Sequence, residues 1–304
     1  MSTPRVLNDY LNYFMSKRIG FIGQGWIGKN YADDFEIRGF EVVRYALEEP
    51  FVQNADKIAE CDIVFIAVPT PTTVKGFDDS IIRAAIKKVG KGKIAVIKST
   101  ILPGTVESIQ AENPDIIVFH SPEFLREANA SYDAANPNRN IIGIPDDNEF
   151  YRHAAQSVLE VLPSAPFQAI CSAREAEFVK YAGNCFLYLK VVYVNMLYDL
   201  AKQLGCDWET VKTMFAADPR IGSSHLNPVH ASGHAGETQA GRGAGGHCFI
   251  KDFAAFSELY EKLLGDKAGL GMLDGIKDKN LDLLLKSGKD LDLIAGVYGE
   301  QAVK

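Results

Sequence analysis

Cys248 stands in the run GGHCFIKD, after Gly245 and Gly246 and ahead of Lys251 and Asp252. Glycines beside a thiol let the backbone approach a bound molecule closely, and a thiolate is a strong nucleophile. Such a thiolate can capture an aldehyde as a thiohemiacetal, which presents a second C–H for hydride loss and then becomes a thioester. That chemistry carries a primary alcohol to a carboxylate through two hydride transfers without release of the aldehyde. The ordinary fate of a reduced cysteine is an inert place in a core. Cys61, Cys171, Cys185 and Cys206 are assigned to it, whereas the flanking glycines and Lys251-Asp252 set Cys248 apart. Lys180 and Asn184 lie four residues apart in a helical stretch and therefore share a face, where an ammonium and an amide can stabilise an oxyanion. On the residues alone, a surface lysine beside a solvated or capping asparagine is the stronger account of that pair. Glu123 follows Pro122 at the end of an apolar run, where ligands of a parallel sheet gather.

A second constellation is GQGWIG: Gly23, Gln24, Gly25, Trp26, Ile27 and Gly28. It follows an expected strand and opens an expected helix, the setting in which GxGxxG cradles a dinucleotide pyrophosphate. The first glycine allows the tight turn, the second admits the phosphates, and the third permits close helix–strand packing. The place after the second strand, where an acid usually holds the adenosine ribose, is Ala46, with Arg44 before it and Glu48 and Glu49 beyond. Arg44 and Glu48, read singly, are solvated surface charges. The turn together with the acidic pair predicts NAD in preference to NADP.

These residues need a scaffold, and the sequence outlines one. RIGFIG, FEVVRY, CDIVFIAVP, KIAVIKST, DIIVFHSP and NIIGIP are Val/Ile-rich runs separated by helix-length stretches. Such runs mean buried parallel strands with crossover helices, so the fold class is α/β: a doubly wound, Rossmann-type sheet over residues 17–171. From Ala173 to Leu204 there is no proline and a single glycine, Gly183, while Phe178, Tyr181, Ala182, Cys185, Leu189, Val192 and Met196 recur at helical spacing. This predicts one helix of roughly 45 Å as the spine of a helical domain over 172–304. Residues 221–247 are expected to be a flexible loop; His225, His230 and His234 within it follow no zinc spacing. Residues 1–16, which contain a natural-looking start at Met15, are read as an arm.

AVPTPT (67–72), KSTILPGT (98–105), SPEFLRE (121–127), EFVKYAGNCF (177–186), DPRIG (218–222) and GGHCFIKD (245–252) occur in order. Together they resemble the sequential signatures of the UDP-glucose/GDP-mannose dehydrogenase family, the nucleotide-sugar 6-dehydrogenases, over about Lys17 to Asp252. The resemblance implies NAD as cofactor and a UDP-sugar of the UDP-glucose type as substrate. It carries Lys180 and Asn184 over as the oxyanion pair, and Asp252 as the group that, with Lys180 and a water, helps deprotonate the substrate hydroxyl. Glu123 is carried over as an aid to thioester hydrolysis, with Thr100 placing the water. Val68, Pro69, Thr70, Thr100 and Glu127 fall at the cofactor, Glu127 also near the catalytic water. Phe124, Leu125, Gly245 and Arg220 fall at the substrate, Arg220 from a neighbouring subunit. As a solitary residue, Glu127 reads as a helix-start carboxylate and Arg220 as a surface arginine.

The chain departs from the family in its longer 221–247 segment, and, ending at Lys304, it is expected to be a short form without the C-terminal UDP-binding domain. GGHC is similar to the branch acting on N-acetylated UDP-sugars, CFIKD to the UDP-glucose branch. Two other readings stand beside this one. A β-hydroxyacid dehydrogenase shares the dinucleotide domain, the long helix and the KxxxN pair, but performs one oxidation and needs no cysteine. A non-catalytic nucleotide-binding remnant would not need Cys248, Lys180, Asn184 and Asp252 intact. With 32 basic and 39 acidic residues the net charge is −7, which excludes nucleic-acid binding by bulk electrostatics. No apolar run reaches the roughly 20 residues of a membrane span. The five cysteines contain no CxxC, so neither a disulfide framework nor a zinc site is expected, and the compartment is expected to be the cytoplasm. The apolar extent of the long helix predicts a homodimer.

Overall fold

The computed structural model describes residues 17–126, 129–232 and 239–304. The expected arm, Glu127 and His234 lie outside the described residues. The chain divides into two compact units, one of residues up to Thr70 with Asp78–Lys180, the other of Pro71–Phe77 with Tyr181–Lys304. The division falls within the long helix, nine residues beyond the boundary suggested by the sequence.

The first unit is the expected α/β sheet. Its elements in order are β1 (Arg18–Ile22), α1 (Trp26–Ile37), β2 (Glu41–Tyr45), α2 (Ala55–Ile58) and β3 (Ile63–Ile66). The β-hairpin β4 (Thr72–Thr73) and β5 (Gly76–Phe77) then leaves for the second unit. After it come α3 (Ser80–Ile86), β6 (Ile94–Ile97), α4 (Thr105–Glu112), β7 (Ile117–His120), α5 (Ala130–Ala135), β8 (Arg139–Ile144), α6 (Glu149–Val161) and β9 (Phe167–Ser172). The sheet order is β2-β1-β3-β6-β7-β8-β9. The first five strands are parallel, as their unbroken apolar runs require. β8 departs from the all-parallel expectation: it meets β7 antiparallel through His120 and Gly143, and pairs with β9 in parallel. One face buries Phe21 and Phe65, stacked at 5.1 Å, with Phe35 of α1 edge-on to Phe21 at 5.4 Å. Fully burying such a ring stabilises the unit by roughly 1.5–3 kcal/mol. The strand order reverses at β1, so the loops leaving β1 and β3 flank a topological switch point.

The second unit begins within α7 (Ala173–Gln203) and continues with α8 (Trp208–Ala216), β10 (Val229–Ser232), β11 (Gln239–Arg242), α9 (Gly246–Leu264), α10 (Lys267–Ser287) and α11 (Leu291–Tyr298). Its core stacks Tyr188 of α7 on Phe253 of α9 at 4.0 Å. Of the apolar positions noted on α7, Tyr181, Cys185 and Val192 are buried, whereas Phe178 and Met196 are half exposed. Within 221–247, expected to be a flexible loop, residues 229–232 and 239–242 instead form an antiparallel ladder that pairs Val229 with Arg242 and Ser232 with Gln239.

Candidate active site

The loops leaving the parallel strands of the first unit stay in register with the sheet. Gly23 N donates to Tyr45 O at 2.9 Å, Ala67 N to Ile22 O at 2.8 Å, Lys98 N to Ile66 O at 2.8 Å and Ser121 N to Ile97 O at 2.9 Å. Ser99 ties two of these loops together, donating to Val68 O at 2.7 Å and accepting from Val68 N at 3.0 Å. Val68, Pro69, Thr70 and Thr100 therefore share the carboxyl edge of the sheet with the glycine turn.

The turn's glycines differ in what a side chain would meet. A Cβ on Gly23 would lie 2.1 Å from Ala67 O, and one on Gly28 would lie 1.9 Å from Gly23 O. A Cβ on Gly25 would meet nothing within 4 Å. Gly23, at φ +92°, and Gly28 are thus required by packing, while Gly25 borders open space at the start of α1. No side chain caps that helix, so its first N–H groups remain to bind phosphate. Gln24, Trp26 and Ile27 complete the turn. Arg44 is no solvated charge. Its guanidinium is largely buried and paired with Asp33 and Glu36 at 2.7 Å each, which occupies the cation that a 2′-phosphate would need.

Behind the next loops lies a buried group of charges. Lys180 Nζ donates to Glu123 Oε1 at 2.8 Å and to Glu123 O at 2.7 Å, both residues being 5% exposed. Burial pushes the Glu123 carboxyl up, but the Lys180 charge and hydrogen bond, the Leu125 amide and the Lys98 charge together hold it below the usual range. Lys98, which sequence reasoning passed over, donates to Ser121 Oγ at 3.1 Å and lies over the Tyr31 ring at 4.5 Å. Burial depresses its pKa to about 7, opposed by Glu123 and assisted by Lys180. Glu177 was also missed, although it lies one helical turn before Lys180. Its carboxylate accepts from Gly104 N at 2.6 Å and Val106 N at 2.8 Å, fixing the segment that follows Thr100. Burial raises Glu177 to about 7 against those two amides. Phe124 and Leu125 line a cavity of about 920 Å³ with Arg139, whose guanidinium stacks on Phe124 at 3.6 Å.

The second unit holds the thiol. Cys248 is exposed, the third residue of α9, and follows the buried Gly245 and Gly246. One turn on, the buried Asp252 receives Lys251 Nζ at 2.6 Å on Oδ1 and Asn184 Nδ2 at 2.6 Å on Oδ2. The structure thus pairs Lys180 with Glu123 and Asn184 with Asp252. The other cysteines divide. Cys61 and Cys185 are buried, and burial pushes the thiols of Cys61 and Cys171 up to about 11. Cys206 is exposed, which corrects its assignment to a core. Arg220 is exposed and paired with Asp218 at 2.6 Å. Among the described residues no three His, Cys, Asp or Glu side chains form a metal-binding group, and no helix is long and apolar enough to cross a membrane.

Residues 48–161 match the family model described as UDP-glucose/GDP-mannose dehydrogenase family, NAD binding domain, and residues 174–280 match the same family's central domain. The chain belongs to this family. Its first unit is an NAD-binding domain, and the open space at Gly25 above an uncapped helix start fits that cofactor. The UDP-glucose 6-dehydrogenase YwqF of Bacillus subtilis is 33% identical over 259 residues, 80% of this chain and 54% of that protein. The chain spans about half the length of the curated relatives it matches. A UDP-glucose dehydrogenase structure from Pyrobaculum islandicum superposes with a TM-score of 0.73 at 28% identity, over 93% of this chain and 71% of that one. A 3-hydroxyisobutyrate dehydrogenase from Mycobacterium tuberculosis, at 18% identity and a TM-score of 0.67, covers 93% of this chain and 98% of its own. That likeness concerns the fold alone.

Proposed function

We propose that this chain is an NAD-dependent nucleotide-sugar 6-dehydrogenase that oxidises the primary alcohol of a UDP-glucose-like sugar twice, to the carboxylate, with Cys248 as nucleophile. The observation that carries the reading is the setting of Cys248: an exposed thiol in the first turn of α9, behind two buried glycines and one turn ahead of the buried Asp252. A single oxidation would need no such thiol.

Gly23 to Gly28 would hold the NAD pyrophosphate, with Val68, Pro69 and Thr70 beside it, and the cofactor supplies the hydride acceptor for each oxidation. Asp252, assisted by Lys180 and a water, takes the proton of the substrate hydroxyl. The Cys248 thiolate then adds to the aldehyde carbon. A C–S bond forms and the carbonyl π pair moves to oxygen, where Lys180 and Asn184 donate. After loss of the second hydride from that carbon, the Cys248 thioester remains. Glu123, kept ionised beside Lys180, orients and polarises the water that adds to the thioester, with Thr100 helping to place it. The C–S bond breaks, Cys248 leaves as thiolate, and the sugar departs as carboxylate, both protons of the attacking water passing to solvent. Phe124, Leu125 and Gly245 border the substrate. The exposed apolar stripe on α7, Phe186, Tyr193, Met196 and Leu200, supports a homodimer, from which Arg220 would reach the partner's substrate. The cysteine pattern supports a cytoplasmic setting.

Incubation with NAD and UDP-glucose, then with a UDP-N-acetylhexosamine, and mass spectrometry of the products tests the reading. Two NADH per uronic acid formed are expected. Cys248→Ser is expected to bind NAD normally and to stop before the acid, because a serine alkoxide is far harder to form than a thiolate. One NADH per substrate would instead indicate the β-hydroxyacid type of reaction. Undiminished acid from Cys248→Ser would refute covalent cysteine catalysis.

A further inference from the structure

The turn that presents Cys248 contains two glycines and no cap of its own. Gly246 has φ +82°, and the N-cap position of α9, Gly245, has no side chain to accept a hydrogen bond. What holds this turn comes from forty-four residues downstream. Asp290 Oδ2 accepts from Gly246 N at 2.8 Å and from Ser232 Oγ at 2.7 Å. Lys289, wholly buried, donates from Nζ to His230 O at 3.1 Å, Gly243 O at 3.3 Å and Gly241 O at 3.4 Å. It also meets His230 Nε2 at 3.2 Å. Burial, and next the Lys289 charge, push His230 down to about 4, so its ring is neutral near pH 7 and can accept.

The fit leaves no slack. A Cβ on Gly245 would lie 1.9 Å from Asp290 Oδ2, 2.8 Å from Ser232 Oγ and 2.9 Å from Lys289 Cε. Asp290 itself adopts the left-handed conformation, φ 55°, a state that Asp and Asn tolerate better than most side chains. Asn280 and Ser287 extend the same attachment: Asn280 exchanges two hydrogen bonds with the Ala244 backbone, at 2.6 and 3.0 Å, and Ser287 Oγ accepts from Arg242 N at 2.9 Å. Lys289 and Asp290 lie beyond residue 280, where the match to the family's central domain ends.

We propose that Lys289 and Asp290 are positioning residues for the nucleophile: together they clasp the β10–β11 hairpin and the Gly245-Gly246 turn, and so fix Cys248 in the first turn of α9. The catalytic part of this inference rests on the reading of Cys248 as nucleophile; the structural part does not. In the first turn, unpaired backbone N–H groups favour a thiolate. If the Gly246 amide loses its acceptor, two glycines recover their freedom and the turn frays.

The experiment compares Asp290→Gly with Asp290→Asn. Glycine accepts φ 55° but removes the acceptor, whereas asparagine accepts φ 55° and keeps a side-chain carbonyl. Thermal melting and NAD titration first establish that each variant is folded and binds cofactor as the parent does. Iodoacetamide labelling is then followed by peptide mass spectrometry, with the exposed Cys206 as internal reference. Asp290→Gly is expected to slow labelling of Cys248 by roughly threefold, the size of a helix N-terminus effect on a charge. It is also expected to lower kcat by about tenfold or more with KM for NAD unchanged. Asp290→Asn should restore both to within about twofold of the parent. Labelling of Cys248 in Asp290→Gly at the parent's rate or faster overturns the clasp, and so does an equal fall in both variants. Cys248→Ala, measured in parallel, separates the two questions: full two-step oxidation by it would sink the nucleophile reading, while the labelling rates still decide the clasp.

Discussion

Replacing Lys180 by Met leaves Glu123 buried with its main counter-charge gone. At 2.8 Å and an effective dielectric of about 20, the gross attraction is about 6 kcal/mol, and breaking a buried pair costs about 3–5 kcal/mol once desolvation is counted. A second route limits the loss, because the stranded carboxyl can protonate. With an ordinary pKa of 4.5 for Glu, holding a proton at pH 7 costs about 3.4 kcal/mol, from 2.5 pH units at about 1.36 kcal/mol each. Lys98 remains beside the carboxylate and opposes the loss further. The expected destabilisation at pH 7 is therefore about 3 kcal/mol.

The sign of the pH dependence identifies the cause. In the parent the Glu123 pKa is depressed, so its contribution is present above the ordinary carboxylate range and fades as pH falls through the lowered value. In Lys180→Met the pKa is raised, so the penalty is largest at neutral pH and shrinks by about 1.4 kcal/mol per unit on acidification. Urea unfolding at pH 7 and pH 5 should show a parent–variant gap of about 3 kcal/mol narrowing to about 1 kcal/mol or less. The double variant Lys180→Met/Glu123→Gln should show no such narrowing. A gap under about 1 kcal/mol at pH 7, or one constant from pH 5 to 7, would refute the reasoning.

Two further outcomes follow from the glycine turn and from α7. Gly25→Val should leave melting unchanged and weaken NAD at least about tenfold in calorimetry, because its side chain enters the open space, whereas Gly23→Ala should destabilise the first unit through its 2.1 Å approach to Ala67 O. Equal NAD affinity in Gly25→Val would show that the space is not the cofactor's. Light scattering should report a dimer for the parent and a monomer for Phe186→Asp/Tyr193→Asp, since both side chains lie in the exposed stripe; a monomeric parent removes the dimer and the intersubunit role of Arg220.

The sheet was legible because its signals are local. Continuous apolar runs between helix-length segments mark buried strands, most of them parallel, and GQGWIG sits where such a strand meets a helix. β8 evaded the parallel rule because NIIGIP is as apolar as its neighbours, and direction leaves no trace in composition. The ordered motifs located Cys248, Lys180, Asn184, Asp252 and Glu123, but not their partners. That Lys180 faces Glu123 and Asn184 faces Asp252 depends on contacts spanning fifty-seven and sixty-eight residues. Lys98 was hidden by the same limit: a lysine at the end of an apolar run reads as a solvated terminus until burial and Tyr31 are seen. The β10–β11 ladder was missed because its Gly/His/Ser content carries no alternation, and its two strands are held by Ser287, Lys289 and Asp290 instead.

The way the helices are capped explains why this last dependence falls on Cys248. α8 and α10 carry their own caps, Asp207 accepting from Thr210 N at 2.8 Å and Asp266 from Gly269 N at 2.9 Å. Both could be read from the sequence by their position alone. α9 cannot be built that way. A side chain at its N-cap, Gly245, would collide with the clasp itself, its Cβ lying 1.9 Å from Asp290 Oδ2 and 2.8 Å from Ser232 Oγ. With no local acceptor the first amide of α9 would be left unpaired, and an unpaired buried donor costs about 1–3 kcal/mol. Moving the acceptor to Asp290 satisfies the amide while keeping the turn bare. The acceptor that a capping residue would supply is delivered to Gly246 N from outside the helix, and the rigidity that two glycines lack is supplied by a segment more than forty residues away in sequence.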